Sequence, residues 1–216
     1  MTYEGLRLKL LKIKRIKFAE SRKKGLKLQN FTIISNNCWG GMIYESYNII
    51  KQTPTAGLFF MAEDYIKFVS DLKKYTSSDI EFIEPASSKW YKSVCSDSRY
   101  GSYPVGRIGG DVEIFFLHYH SKKEAAEKWK RRCERINWDK MLVKFNDQNG
   151  CRKSDLEAFL KLPYKNKLFF TCKDWGIDSK EIIKINQFPK HDFIMASYEP
   201  FGKTKKINVT DVLNNL

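Results

Sequence analysis

Residues 103–136, YPVGRIGGDVEIFFLHYHSKKEAAEKWKRRCERI, constrain this chain most, because an apolar run, a polar cluster and a capped helix follow one another directly. Within residues 111–120, Ile114, Phe115, Phe116 and Leu117 place aromatic and branched side chains on both alternating faces, as a strand buried on both sides of a sheet requires. Ser121 and Glu124 then have the spacing of a capping box, in which the serine oxygen takes the Glu124 N–H and the glutamate reaches back to the serine N–H. A helix is expected from Ser121. Ala126, Trp129, Cys133 and Ile136 recur along it at three- and four-residue spacing and supply its apolar face. Strand then helix, with His118 and His120 at the joint, predicts half of a βαβ unit.

Two histidines two apart on a strand share a face, so His118 and His120 either present two imidazoles to one ligand or hydrogen-bond locally. No Cys pair or Glu-x-x-His pattern accompanies them, and no metal site is assigned. Asp111 and Glu113 form an Asp-x-Glu that loosely resembles the cation-holding Asp-x-Asp of nucleotide-sugar transferases, although it precedes its strand instead of following one.

Other joints read similarly. Residues 31–34 form a short apolar strand running into Ser35, Asn36 and Asn37, then Gly40 and Gly41, then a helical pattern over 42–50. Small and amide residues before a helix N-terminus suit phosphate or carboxylate; equally, Asn36 serves as an N-cap and the glycines as close-packing positions. Strands are also expected at 55–61, 81–83, 141–145, 167–171 and 193–197, and helices at 62–75, 155–160 and 210–216. Residues 86–110 read as an irregular loop, with Trp90, Tyr91, Tyr100 and Tyr103 either stacking on a ligand or anchoring the loop. Strands alternating with helices predict an α/β fold of three layers, a mostly parallel sheet with helices on both faces. In such sheets ligands sit beyond the carboxyl ends of the strands, which gathers Ser35–Asn37, His118–His120 and residues 146–149, including Asn146 and Asp147, into one polar pocket, with Thr171–Asp174, Tyr198 and Glu199 as further candidates.

The net charge of +14 is concentrated at the N-terminus, where residues 1–28 hold ten basic side chains against two acidic ones. Leu6, Leu10, Ile13 and Lys17 fall on one helical line, so a basic amphipathic helix is expected over 1–28, followed by a single α/β domain over 29–216. That helix either docks on the domain or lies on an anionic membrane surface. Nucleic-acid binding ranks last, since no helix-turn-helix, zinc-finger or RNA-reading motif is present. The five cysteines form no C-x-x-C pair, and no signal peptide or membrane-spanning run is found, which predicts a cytoplasmic protein, peripheral at the membrane if the helix binds there.

The segments ISNNCWGGMIYE, TAGLFFMAEDYIKF, YPVGRIGGDVEIFFLHYHSKKEAAEKWKRRCERIN and LPYKNKLFFT resemble an uncharacterised bacterial family found among surface-polysaccharide genes and often named exopolysaccharide biosynthesis protein. The resemblance covers most of the chain after residue 30 and takes in Ser35, Asn36, Asn37, Gly40, Gly41, Asp111, Glu113, His118, Arg131, Arg132 and Arg135. It implies sugar or sugar-nucleotide chemistry, as in a glycosyl or other group transferase; its cofactors are unknown. On that reading His118 or Asp111 takes the proton from an acceptor hydroxyl, with Ser35, Asn36, Asn37, Gly40, Gly41, His120, Asn146 and Asp147 around the ligand. A non-catalytic scaffold at the membrane surface is the alternative.

Overall fold

The computed structural model describes residues 2–186 and 191–216. Helices α1 (Tyr3–Lys17) and α2 (Ala19–Lys24) lead into strand β1 (Thr32–Ser35) and helix α3 (Trp39–Ser46). Then come α4 (Ala62–Ser70), α5 (Leu72–Ser77), β2 (Ile80–Ile83), the short α6 (Tyr91–Val94), β3 (Val105–Ile108), β4 (Val112–Phe115) and α7 (Lys122–Cys133). The chain closes with β5 (Met141–Asn146), α8 (Lys153–Lys161), β6 (Lys167–Thr171), β7 (Ile182–Lys184) and α9 (Val209–Asn214).

Four strands form a parallel sheet in the order β1-β5-β6-β7. Alternation along each strand divides their side chains between two cores. Ile34, Val143, Phe145 and Phe169 face Tyr65 and Phe68 of α4, Trp129 of α7 and Phe159 of α8. Ile33, Leu142, Leu168 and Phe170 face Trp39, Ile43 and Tyr44 of α3 and Leu213 of α9. The expected α/β architecture with helices on both faces is therefore present, joined by a second sheet, antiparallel, of β2-β3-β4.

That second sheet corrects the reading of residues 111–120. Gly109 and Gly110 both have positive φ, 59° and 82°, and reverse the chain so that β4 pairs with β3 in a hairpin. The buried strand is Val112–Phe115, outside the parallel sheet, so His118 does not join a βαβ unit. Ser121 does cap α7, accepting from the Glu124 N–H at 3.1 Å, but Glu124 reaches back one residue further, to the His120 N–H at 2.8 Å.

Three other expectations shift. Residues 55–61 make only a single bridge, Phe59 to Phe115, and the helix expected over 62–75 breaks at Asp71, whose carboxylate caps α5 through the Lys74 N–H. Residues 193–197 form no strand: the Ile194 N–H donates to Asp147 Oδ1 and its carbonyl accepts from Asn146 Nδ2, so side chains satisfy the backbone there. The outer strand beside β6 is β7 instead.

Helices α1 and α2 lie against α3. Arg15 is buried, with its guanidinium 3.0 Å from the Met42 sulfur, and Arg22 donates to the carbonyls of Arg15 and Ser46 at 2.8 Å each.

Candidate functional site

After β1 the chain turns into α3 on one face of the parallel sheet; after the adjacent β5 it turns into α8 on the other. Loops that part to opposite faces leave a crevice between them, the topological switch point at which α/β sheets bind ligands. A cavity of about 310 Å³ lies there. Asn37, Cys38 and Met42 contribute from the β1 side, Gln148 and Asn149 from the β5 side, and Met195, Ala196 and Ser197 from the C-terminal segment. Phe59, Leu117 and His118 close a third side, with Asp97 and Arg99 from the loop before β3.

Polar residues fill the layer beneath. Lys144, the one charged residue in the strand Met141–Asn146, is fully buried, its ammonium 2.5 Å from Glu199 Oε1 and 3.0 Å from Asn37 Oδ1. The same Glu199 oxygen accepts from Asn146 Nδ2 at 2.8 Å, and Asn146 Oδ1 accepts from Asn36 Nδ2 at 2.7 Å. Burial pushes the Glu199 carboxyl up and the Lys144 ammonium down, against the attraction between them. Asn37 Oδ1 also receives the Ser35 hydroxyl and the Trp39 N–H. Three donors on that oxygen orient the amide, leaving Nδ2 to approach Gln148 Oε1 at 3.4 Å.

His118 is exposed at the cavity rim. The surrounding walls still strip part of the hydration an imidazolium needs, and Arg99 adds like-charge repulsion, so its pKa lies below the ordinary 6.5 and the ring is neutral at pH 7. Asp97 grips Arg99 through two parallel bonds, Nε at 3.2 Å and Nη2 at 2.9 Å. Burial raises the Cys38 thiol to about 11, which keeps it protonated and poorly nucleophilic.

Of the residues singled out from sequence, Asn37 and His118 line the cavity, while Ser35, Asn36 and Asn146 form the buried layer under it. Asp147 is buried beside it, where its carboxylate accepts from Thr171, the Cys172 N–H and the Ile194 N–H. The others lie elsewhere. Gly40 and Gly41 are packing positions in α3, where an added Cβ would come within 3.2 Å of Ser35 Cβ and of Ala56 Cβ respectively. His120 borders a separate depression with Pro85 and Lys122.

Asp111 sits in the β3–β4 turn, accepting from the Tyr75 hydroxyl, at the end of β4 opposite His118. Its neighbour Glu113 is buried and occupied by Ser88, the Lys89 N–H and Arg107. No group of three or more His, Cys, Asp or Glu side chains among the described residues is placed to hold a metal ion.

Residues 9–216 match the family described as Domain of unknown function (DUF1919). The chain belongs to the DUF1919 family. It is also 31% identical over 191 residues to an uncharacterized protein of Haemophilus influenzae, with 88% of this chain and 85% of the relative covered. In this DUF1919 protein sequence reading missed Lys144, Asp97 and Arg99. A lysine inside MLVKFN was the available signal for the first, because a charge on a strand buried on both faces must have a partner.

Proposed function

We propose that this protein is a group transferase acting on a sugar or sugar-nucleotide in the assembly of cell-surface polysaccharide, with the cavity at the β1/β5 crevice as its active site. One arrangement carries the reading: a neutral imidazole, three side-chain amides and a guanidinium held by a carboxylate all border the same crevice. With Asn37 holding Gln148 Oε1 and Asn149 Nδ2 on the Phe60 carbonyl, Gln148 Nε2 is left as a donor and Asn149 Oδ1 as an acceptor, which suits a hydroxyl-rich ligand. Arg99 supplies positive charge for a phosphate. His118 is the base that takes a proton from an acceptor hydroxyl, since its depressed pKa keeps it unprotonated at working pH. Asp111 has no part in this scheme because it lies at the far end of β4. The polysaccharide context rests on the resemblance read in the sequence.

A thermal-shift screen against nucleotide sugars, free nucleotides and acyl donors, each with and without magnesium or manganese, tests the proposal. A ligand at about 100 times its Kd stabilises the fold by roughly 2.7 kcal/mol. One nucleotide sugar should raise the melting temperature, and Asn37→Ala should abolish the shift. In cells, His118→Ala should stop polymer production and Asp111→Ala should leave it intact. Unchanged production with a folded His118→Ala protein would refute the assignment.

A further inference from the structure

Helix α1 has its apolar side turned outward. Glu4, Leu8, Leu11 and Arg15 share the side that meets the body, and each is partly or fully buried. On the opposite side Leu6, Leu10, Ile13 and Ile16 recur at three- and four-residue spacing and are 47%, 50%, 49% and 59% exposed. Phe18, just past the helix, is 49% exposed. Lys9 and Lys17 fall within this stripe, Lys12 runs along one edge and Lys14 along the other, all four exposed. The docking that buries Arg15 therefore leaves four large aliphatic side chains in water, an arrangement that points to a further contact.

Charge decides what that contact is. Residues 1–28 carry a net +8, and Lys9, Lys12, Lys14 and Lys17 place four of the positive charges in and beside the stripe, whereas Arg15 is buried on the opposite side. A groove bordered by Leu11, Arg22, Lys203, Lys205 and Lys206 extends the basic surface beside α1. A second copy meeting stripe to stripe would bring these four lysines against their counterparts, whereas an anionic surface receives both the aliphatic side chains and the lysines.

We infer that α1 is a membrane-surface helix: Leu6, Leu10, Ile13 and Ile16 enter the headgroup region of an anionic bilayer, and Lys9, Lys12 and Lys14 meet lipid phosphates. Fifteen helical residues span about 22 Å, short of the roughly 30 Å hydrocarbon core, so the helix lies in the interface. No helix among the described residues is long and apolar enough to cross a membrane. Through Arg15 the helix touches Met42, which also borders the cavity, so a bound protein holds its crevice close to the lipid. The inference stands apart from the reaction assigned to that crevice.

The test is cosedimentation of the full chain with phosphatidylcholine vesicles, alone or with about one third phosphatidylglycerol. Binding should require the anionic lipid and weaken with salt. Leu10→Asp with Ile13→Asp should reduce it by at least about ten-fold without lowering the melting temperature, since both side chains are exposed. Each of Lys9→Gln and Lys12→Gln should cost about five-fold. If the aspartate pair does not fold, Leu10→Ser with Ile13→Ser is measured the same way. Equal binding to both vesicle types, no binding, or full binding by the apolar variant would overturn the inference. So would a dimer in analytical ultracentrifugation that the apolar variant dissociates, which would assign the stripe to a second copy.

Discussion

Replacing Lys144 by methionine keeps the length of the side chain in the core and removes its ammonium. In the structure that ammonium lies 2.5 Å from Glu199 and 3.0 Å from Asn37, with both partners buried. After the change Asn37 Oδ1 retains the Ser35 hydroxyl and the Trp39 N–H, whereas Glu199 is left as a buried carboxylate with Asn146 Nδ2 on one oxygen. Its other oxygen, Oε2, is buried and has no hydrogen-bond partner among the described residues. An uncompensated buried charge of this kind costs about 3–5 kcal/mol, or roughly 6–20 °C in Tm for a chain of this size. Glu199→Gln alone keeps an acceptor for Lys144 and should cost about 2–3 kcal/mol. Removing both charges together leaves only unequal amide bonding, about 1–3 kcal/mol, so the double variant should fall short of the sum by at least about 2 kcal/mol. Urea denaturation of the two single variants and the double variant, read at a common m-value, measures this coupling. Additivity within about 0.5 kcal/mol, or a Lys144→Met cost below about 1 kcal/mol, would refute the claim that the pair functions as a unit.

Four further outcomes follow from named contacts. His118 has a folded pKa below 6.5, so it stays an unprotonated base to lower pH than a free histidine, and the acidic limb of the kcat/KM profile should lie below pH 6.5 and vanish in the residual activity of His118→Ala. The same depression means that the unfolded chain binds this proton more readily, so folding loses stability as pH falls from 6.5 toward the folded value; His118→Gln should flatten that part of a denaturation-against-pH curve. Gly109→Ala places a Cβ 2.7 Å from the Tyr75 ring at a φ of +59° and should destabilise by about 1–3 kcal/mol, measured by urea unfolding. Ser121→Ala removes the N-cap of α7 and should cost about 1 kcal/mol, lowering Tm by roughly 2–4 °C in a calorimetric scan.

Periodicity and capping chemistry are local, and they made much of the fold legible. The apolar alternation in β1, β5 and β6, the helical spacing of α4, α7 and α8, and the Ser121 cap can each be read within a dozen residues, because each depends on neighbours along the chain. Pairing partners could not be read the same way. Residues 111–120 look like a strand buried in the parallel sheet by composition, yet Gly109 and Gly110 fold them back onto β3, so Val112, Ile114 and Phe116 are buried against α4 and α7, and Phe115 against Val94 of α6 and Tyr103. Likewise residues 193–197 have strand composition, but Asn146 and Asp147 take up the backbone bonds a strand would have needed.

The candidate site divides along the same line. That amides and a histidine at strand ends would matter was visible in Asn37, His118 and the run after β5, since the carboxyl ends of parallel strands are where loops gather. Tertiary structure decided which of them meet. The opposite departures of α3 and α8 from adjacent strands open the crevice, the hairpin carries Asp111 away from His118, and the loop before β3 brings in Arg99 and Asp97 from residues with no periodic signal. Lys144 and Glu199, 55 positions apart, meet because a charge taken out of water has to find its counterion wherever the packed chain supplies one.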